Sequence, residues 1–215
     1  LGDYGYAFSN ANAIPDVDKK ERTVAFNYFI DPGKKIYVRR INFFGNEKTK
    51  DSVMRRHLRQ FESSWYSKSR VDRSRVRLTQ TQYFDSVDLQ TSNVPGATDQ
   101  IDVNFHVKER NTGKVMVGAG VSSSEGLVGT FTLSQSNFLG TGNTVSTSIS
   151  TGEVNKTYAL SYQDPYWTDD GVSRTFGVYR RDVNTTDLST AAYNTFSYGT
   201  NIDFIIPLTE YNSIS

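Results

Sequence analysis

Hydrophobic and polar positions follow two different rhythms along the 215 residues of this chain, with a change near residue 110. Before that point, strand-like alternation mixes with two stretches that repeat at helical spacing. After it, a period of two dominates, and aromatic side chains recur at strand-like intervals. The sequence therefore predicts an α+β part followed by a run of antiparallel strands.

The first part contains five candidate strands and two candidate helices. Strands are predicted over residues 7–13, 23–30, 35–43, 85–91 and 100–109, and helices over about 49–60 and 68–82. Thr49 is a candidate N-cap for the first helix, whose inward stripe would be Val53, Met54 and Leu58. The last three strands and the two helices follow the order strand, helix, helix, strand, strand, which predicts one small α/β layer.

Six candidate strands make up the second part, each close to the ~9 to 11 residues with which a tilted β-strand crosses a bilayer. They cover residues 114–121, 127–134, 143–151, 156–164, 174–181 and 193–207. In the last of them, Tyr198, Ile202 and Phe204 fall on one face, whereas Asn201 and Asp203 fall on the other. This pattern predicts the wall of a transmembrane β-barrel with an apolar exterior and a polar lumen.

Charge changes at the same point of the chain. Of the 24 Lys and Arg residues, 19 lie in residues 1–110, and of the 23 Asp and Glu residues, 14 lie there. The less charged second part suits surroundings less polar than water. The net charge of +1 gives no general attraction to nucleic acid, and the absence of Cys excludes disulfides and thiolate metal sites.

The connections between the later strands alternate in character. Those at residues 122–126, 152–155 and 182–192 are small or polar, whereas those at 135–142 and 164–173 carry apolar and aromatic residues: Phe138, Leu139, Tyr166 and Trp167. Such residues can seat at a lipid interface. Because long polar loops of outer-membrane barrels face outside, we expect the aromatic turns and the N-terminal part to share the periplasmic side.

Short motifs, in order along the chain, resemble the BamA family of outer-membrane β-barrel assembly proteins. They are IYVRRI at residues 36–41, FGN at 44–46, YFDSV at 83–87, VKERNTG at 107–113, QSNFLGTG at 135–142 and DPYWTDDGVS at 164–173. The resemblance implies an α+β POTRA module followed by the N-terminal strands of an antiparallel transmembrane β-barrel. Residues 1–33 would end a penultimate POTRA repeat, 34–109 would form the last repeat, and 110–215 would supply about six strands of an incomplete barrel. We therefore expect the chain to be a fragment of a longer protein.

The same resemblance implies a function without catalysis or cofactors, in the bacterial outer membrane with POTRA modules in the periplasm. The protein would be a central component of the machinery that folds and inserts outer-membrane β-barrel proteins. Its partners would be Bam lipoproteins including BamD, unfolded client proteins, periplasmic chaperones and outer-membrane lipid, and no nucleic acid.

Strand templating is the expected mechanism, because a client cannot place unpaired backbone polar groups in hydrocarbon and an exposed strand edge can pair with them. The resemblance assigns this edge to the first barrel strand, at a lateral seam. Its residues are Val115, Met116, Val117, Gly118, Ala119, Gly120 and Val121. The two glycines either thin the packing and ease separation of the seam, or only accommodate barrel curvature.

Two further surfaces are candidates for protein contacts. A POTRA edge strand with Asp85, Ser86, Val87, Asp88 and Leu89 either holds client strands or is an inert edge that its aspartates guard. By resemblance, Glu62, with Arg55 nearby, contacts BamD through a charge pair. The alternative is an ordinary solvated charge on a helix.

Catalytic and metal sites find little support. His57 and His106 lie in different elements without a nucleophile nearby, and the aspartates at 164, 169 and 170 lie in a turn where Asp commonly binds its own backbone. Gly140, Thr141 and Gly142 suit a hairpin turn. A basic stretch favours lipid phosphates or an acidic partner over nucleic acid, since no aromatic residues interleave with it. It consists of Arg55, Arg56, Arg59, Arg70, Arg73, Arg75 and Arg77.

Two other functions stay open at this point. One is a POTRA-containing polypeptide secretion pore or a TamA-like translocation and assembly factor. The other is a soluble binding module joined to a β-sandwich adhesin or hydrolase, which requires residues 114–215 to dissolve without detergent.

Overall fold

The computed structural model describes residues 1–18, 22–185, 193–209 and 212–215. The chain divides into two compact units. The first consists of Leu1–Glu47 and Met54–Arg110, and the second of Lys48–Val53 and Asn111–Ser215. Most of the polar loop predicted at residues 182–192 lies outside the described residues.

The first unit opens with a 3-10 turn at Gly2–Tyr4 and an antiparallel hairpin of β1 (Asn10–Asp18) and β2 (Thr23–Asp31). A four-stranded sheet with the order β4-β3-β6-β5 follows. In this sheet β3 and β6 are parallel, and the other neighbours are antiparallel. Its strands are β3 (Tyr37–Phe44), β4 (Ser64–Trp65), β5 (Phe84–Asn93) and β6 (Gln100–Glu109).

Two helices, α1 (Asp51–Arg55) and α2 (Lys68–Gln80), contribute to one core with this sheet. The α2 helix starts at an N-cap, Ser67, whose side chain accepts from the amide of Arg70. Along β6, alternate side chains are buried, as expected for a strand with one face on a core. The core consists of Val38, Ile41, Met54, Leu58, Val71, Leu78, Phe84, Val87, Val103, Phe105 and Val107.

The first helix is shorter than the predicted span of residues 49–60, although its inward stripe is confirmed: Val53, Met54 and Leu58 are buried. After Arg55 the chain continues in turns, and Gln60 is fully buried and bonds to the residues that follow it. Its amide nitrogen donates to Trp65 O at 3.0 Å, and its amide oxygen accepts from Ser67 N at 3.0 Å. These bonds organise residues 60–67, which include the short strand β4.

The second unit is one antiparallel sheet in which every strand pairs with its neighbours in the chain, in the order β13-β12-β11-β10-β9-β8-β7. All six predicted strands are confirmed, and a short seventh follows them. The strands are β7 (Gly113–Ser122), β8 (Gly126–Gln135), β9 (Thr144–Thr151), β10 (Asn155–Asp164), β11 (Ser173–Asn184), β12 (Asn194–Pro207) and β13 (Ser213–Ile214).

The strand register sorts the side chains of this sheet into two faces. One face, which we call the apolar face, includes Val115, Val117, Phe131, Leu133, Ile149, Tyr158, Leu160, Tyr162, Phe176, Val178, Tyr198, Ile202 and Phe204. The opposite, polar face includes Thr130, Thr132, Ser146, Ser148, Ser161, Asn201 and Asp203. Among the described residues, every buried apolar side chain precedes residue 110. The apolar face is therefore uncovered, whereas a β-sandwich would pack it against a second sheet.

Residues 48–53 pack within the second unit, against the turn between β8 and β9. The amide of Lys50 donates to Gly140 O at 2.9 Å, and Asn137 Nδ2 donates to Thr49 Oγ1 at 2.8 Å. A Cβ atom on Gly140 would lie 1.8 Å from Lys48 O, and this residue has φ +72°. Only glycine fits this close approach. In the described part of the chain, no helix combines the length and the hydrophobicity needed to cross a membrane.

Candidate functional site

The predicted templating strand, β7, is the terminal strand on one side of the seven-stranded sheet. Within the described residues it pairs with β8 only, so the backbone groups along its other edge face away from the sheet. Its side chains are exposed, including Val117 (77%) and Val121 (86%). A long, exposed strand edge of this kind can accept another strand.

The two glycines of β7 have different surroundings. A Cβ atom on Gly118 would lie 2.6 Å from Thr130 Oγ1 on β8, so Gly118 allows close packing of the neighbouring side chain. A Cβ atom on Gly120 would meet nothing within 4 Å. Gly120 thus leaves the edge locally thin, whereas Gly118 accommodates its neighbour.

The predicted POTRA edge is also a sheet edge, since β5 is the terminal strand opposite β4. Asp85 interrupts the pairing register between Phe84 and Ser86, and its carboxylate lies 3.7 Å from Arg110 Nε. Val87 points into the core, while Asp88 is exposed and Leu89 is half-buried. Regular pairing with β6 starts at Ser86, and the role of the outer edge in holding client strands stays a prediction.

Glu62 and Arg55 lie together and both contact the backbone of β3. Arg55 Nη1 donates to Glu62 Oε1 at 3.1 Å, and both side chains are about two-fifths exposed. The same Glu62 oxygen accepts from the amide of Ile41 at 2.8 Å, while Arg55 Nη2 donates to the Ile41 carbonyl at 3.0 Å. The pair therefore binds both backbone polar groups of Ile41 and leaves part of each charge open to solvent.

Hydrogen bonding stabilises the charged form of Glu62. The Ile41 amide is the main reason that the pKa of Glu62 is lowered, and the bond from Arg55 adds to it, although partial burial opposes both. Glu62 consequently stays ionised at neutral and mildly acidic pH. It can offer a fixed negative charge to a partner without changing its protonation.

The aromatic turns lie at the end of the sheet where the chain enters β7. Between β8 and β9, Phe138 and Leu139 are exposed. Between β10 and β11, Trp167 packs against Phe204, with ring centroids 5.4 Å apart, and Tyr166 is half-buried. Their position at one rim fits a lipid interface, and this role stays a prediction.

The basic stretch surrounds one histidine. The pKa of His57 is lowered to about 4, mainly by burial and then by the nearby charges of Arg56, Arg77 and Arg59, in that order of importance. His57 is therefore neutral at physiological pH. In the described residues, no three His, Cys, Asp or Glu side chains come together as metal ligands would.

Two polar arrangements were not recognised in the sequence. Arg39 forms a bidentate ion pair with Asp102 across β3 and β6, with 2.9 Å between Nε and Oδ1. On β11, Arg180 lies on the apolar face and forms an ion pair with Asp182. The period of two between Arg180 and Val178 was visible in the sequence, and it placed a cation on the face that should meet lipid.

Comparison with known families matches two parts of the chain. Residues 36–110 match the model of the POTRA domain, described as surface antigen variable number repeat. Residues 137–215 match the Omp85 superfamily domain.

Curated relatives align over the whole chain. The outer membrane protein assembly factor BamA of Neisseria meningitidis serogroup B is 37% identical over 100% of this chain and 27% of its own length. BamA of Buchnera aphidicola is 30% identical over 100% of this chain and 35% of its length. The chain thus spans about a quarter to a third of these relatives.

Solved structures show the same fold. The crystal structure of BamA from Haemophilus ducreyi lacking POTRA domains 1–3 superposes with a TM-score of 0.90 at 36% identity, over 99% of this chain and 40% of that chain. CdiB from Acinetobacter baumannii superposes with a TM-score of 0.56 at 16% identity, over 96% of this chain and 39% of that chain. At that identity, the second likeness concerns the fold alone.

Proposed function

The chain belongs to the BamA family, and we propose that it is the part of an outer-membrane assembly factor that folds and inserts β-barrel proteins. The POTRA domain lies in the periplasm, and the strands that follow it lie in the outer membrane. The observation that carries the proposal is the likeness to BamA over the whole of this chain. The place of β7 as the first strand of the seven-stranded sheet is the basis for assigning strand templating to it.

Templating at β7 follows from the physics of a strand in lipid. Each unpaired backbone group costs several kcal/mol in hydrocarbon, so an unfolded client cannot enter the bilayer with its polar backbone bare. The ten residues of β7 offer a row of backbone donors and acceptors, long enough to pair with a whole membrane-spanning strand. A client strand that pairs there enters the membrane with the backbone hydrogen bonds along one of its edges already formed.

Disulfide trapping tests this edge, and the chain contains no native cysteine to interfere. The full-length protein with Val117→Cys is combined with a client stalled in assembly that carries one cysteine in its last strand. We expect a mixed disulfide, seen as a shifted band on a non-reducing gel. The matched control is Leu160→Cys on β10, since β10 pairs on both sides.

Equal trapping at positions 117 and 160 contradicts templating at β7, and so does a stalled client that forms no product with Val117→Cys. A client cysteine moved one strand inward should reduce the yield. This series separates specific pairing from random collision in the membrane.

We further propose that Glu62 and Arg55 form part of the docking site for the lipoprotein BamD. A half-exposed ion pair presents both a carboxylate and a guanidinium to a complementary pair on the partner. The bond between Glu62 and the Ile41 amide complicates a simple charge reversal, because Glu62→Lys removes this bond as well as the charge.

Glu62→Gln separates the two effects, because glutamine still accepts from the Ile41 amide. If the charge is what BamD recognises, Glu62→Gln should weaken BamD co-purification nearly as much as Glu62→Lys, by about three- to tenfold for a partly exposed charged contact. Loss with Glu62→Lys alone points to local structure, and retention of BamD with both variants contradicts the docking site. Asp85→Asn, at the other edge of the same sheet, is the control.

The secretion alternative has less support. The CdiB likeness at 16% identity concerns the fold alone. Depletion of the protein separates the alternatives: an assembly factor should lower the level of many barrel proteins, whereas a dedicated pore should retain one cargo.

A further inference from the structure

A cation interrupts the apolar face of the membrane sheet. Along β11 this face carries Phe176, Val178 and then Arg180. Arg180 pairs directly with Tyr158 on β10 and with Tyr198 on β12. A charged side chain on a lipid-facing surface is costly near the bilayer centre and much less so near an interface, so its depth and neighbours decide what it does.

Three successive cross-strand rows grade from charged to aliphatic around this residue. The row nearest the end of β11 contains Lys156, Asp182 and Phe196; the next contains Tyr158, Arg180 and Tyr198; the third contains Leu160, Val178 and Thr200. Tyrosine is typical of the level where headgroups meet acyl chains. The grading therefore places the Arg180 row at a membrane interface, with the aliphatic row deeper.

The strand topology assigns Arg180 to one leaflet of the membrane. The chain leaves the periplasmic POTRA domain and enters the sheet at Gly113, the first residue of β7. Neighbouring strands are antiparallel, so β9 and β11 run in the same direction as β7, away from the periplasm. Arg180 lies in the second half of β11 and so belongs to the external leaflet.

The guanidinium is held in a fixed position. Arg180 Nε donates to Asp182 Oδ1 at 2.8 Å, and Nη2 donates to Oδ2 at 2.9 Å. The same group lies 5.7 Å from the ring centroids of both Phe196 and Tyr198. Lys156 lies opposite Asp182 in the strand register, so the cluster combines two cations with one carboxylate and has a net positive charge.

An apolar groove adjoins these charges. It has a volume of about 460 Å³ and is lined by Ile149, Tyr158, Leu160, Val178 and Tyr198, with Arg180 on its wall. These residues come from four neighbouring strands, β9 to β12, and the other lining residues belong to β9, β10 and β11. A groove of this kind, beside a positive charge at an interface, matches an amphipathic molecule with an anionic head and an acyl chain.

We propose that Lys156, Tyr158, Arg180, Asp182 and Tyr198, the Arg180 cluster, bind a phosphorylated lipid of the external leaflet. The phosphate lies against Arg180 and Lys156, and one acyl chain follows the groove past Leu160 and Val178. A lipid fits better than an acidic protein segment, because the groove continues from the charges onto the face that contacts acyl chains. The inference rests on the membrane location of the strands and not on strand templating.

Native mass spectrometry of the full-length protein in a nonionic detergent tests the site. The probes are dioctanoyl phosphatidic acid and dioctanoylglycerol, which differ by the phosphate. We expect the phosphatidic acid to bind more tightly, and Arg180→Gln to weaken it about tenfold, as for the loss of a charge-assisted contact. The matched control, Arg181→Gln, removes the same charge one residue further along on the polar face and should leave binding unchanged.

Two more variants give the test a second direction. Asp182→Asn removes the carboxylate that competes with the phosphate, so it should tighten phosphatidic acid binding about threefold. Lys156→Gln, at an exposed position, should weaken it about threefold. Dioctanoylglycerol binding reports on an intact groove and should stay the same in every variant.

Three outcomes overturn the proposal. Equal binding of the two probes to the unaltered protein assigns the cluster to ordinary interfacial anchoring. Equal weakening by Arg180→Gln and Arg181→Gln indicates a general charge effect. Unchanged binding of phosphatidic acid after Arg180→Gln means that the phosphate does not lie against this residue.

Discussion

The two units of this chain place the same alternating pattern in opposite surroundings. On β6 the apolar set points into a core, and Phe105 is 0% exposed. On β10 the corresponding set is uncovered, with Tyr158 at 40% and Leu160 at 48% exposure. A period of two therefore fixes which side chains share a face, while the surroundings decide whether that face is an inside or an outside.

This difference changes what holds each unit together. In the POTRA domain, removal of apolar side chains from water is the main stabilising term. In the membrane strands, lipid is as apolar as the side chains that meet it, so the continuous backbone ladder and the polar opposite face carry more of the specificity. A substitution should hence have different effects at matched positions in the two units.

The largest expected effect is at the centre of the POTRA core. Phe105→Ala should destabilise the domain by about 3–5 kcal/mol, because it removes a fully buried ring and leaves a cavity. Urea unfolding, followed by the fluorescence of Trp65, measures the loss. A Trp167→Phe background removes the other tryptophan, which lies in the second unit.

The matched substitution in the second unit is Phe131→Ala on β8. This ring lies on the uncovered face, so its loss should leave the heat-modifiable migration of the folded barrel nearly unchanged. A large loss of folded barrel with Phe131→Ala would mean that the apolar face packs against protein and not lipid.

The sequence alone was sufficient to predict the elements that follow from the periodicity of apolar residues. All six membrane strands, the second helix and the buried stripe of Val53, Met54 and Leu58 were predicted correctly, because each depends on local repetition of apolar residues. The BamA resemblance supplied the order of modules.

Contacts between distant residues could not be predicted in this way. Gln60 lies outside the first helix and bonds to residues up to Ser67, and a helical pattern gives no sign of that. The packing of residues 48–53 against Gly140 joins positions about 90 apart, and neither segment has a motif for it. Residues such as Arg39 and Asp102 meet only because β3 and β6 are parallel neighbours.

A second substitution tests which way the membrane sheet faces. Leu160→Arg, near the middle of β10 on the apolar face, should destabilise the inserted barrel by about 2–4 kcal/mol if that face meets the bilayer midplane. Folding into vesicles in a urea series, read from gel migration, gives the change.

Ser161→Arg is the control on the polar face of the same strand. Water in the lumen should accept the new charge, so the expected change is small. The reverse order of the two effects would mean that the face with Ser161 meets lipid and the face with Leu160 meets water. It would also remove the assignment of the Arg180 cluster to the lipid-facing side.

The smallest predicted effect concerns pH and belongs to the POTRA domain alone. Burial and neighbouring arginines lower the pKa of His57 from 6.5 to about 4, so the unfolded chain takes up a proton at a higher pH than the folded domain. Stability should therefore fall as the pH drops below 6.5, by roughly 1–2 kcal/mol between pH 7 and 5. The carboxylates of Glu62 and Asp102 act at lower pH, because hydrogen bonds from the Ile41 amide and from Arg39 lower their pKa below 4.5 and 3.8.

Urea midpoints from Trp65 fluorescence at the two pH values measure the loss, which His57→Gln should abolish and His106→Gln should retain. An unchanged pH dependence in His57→Gln would assign it to another group and would leave the buried histidine without a titrating role.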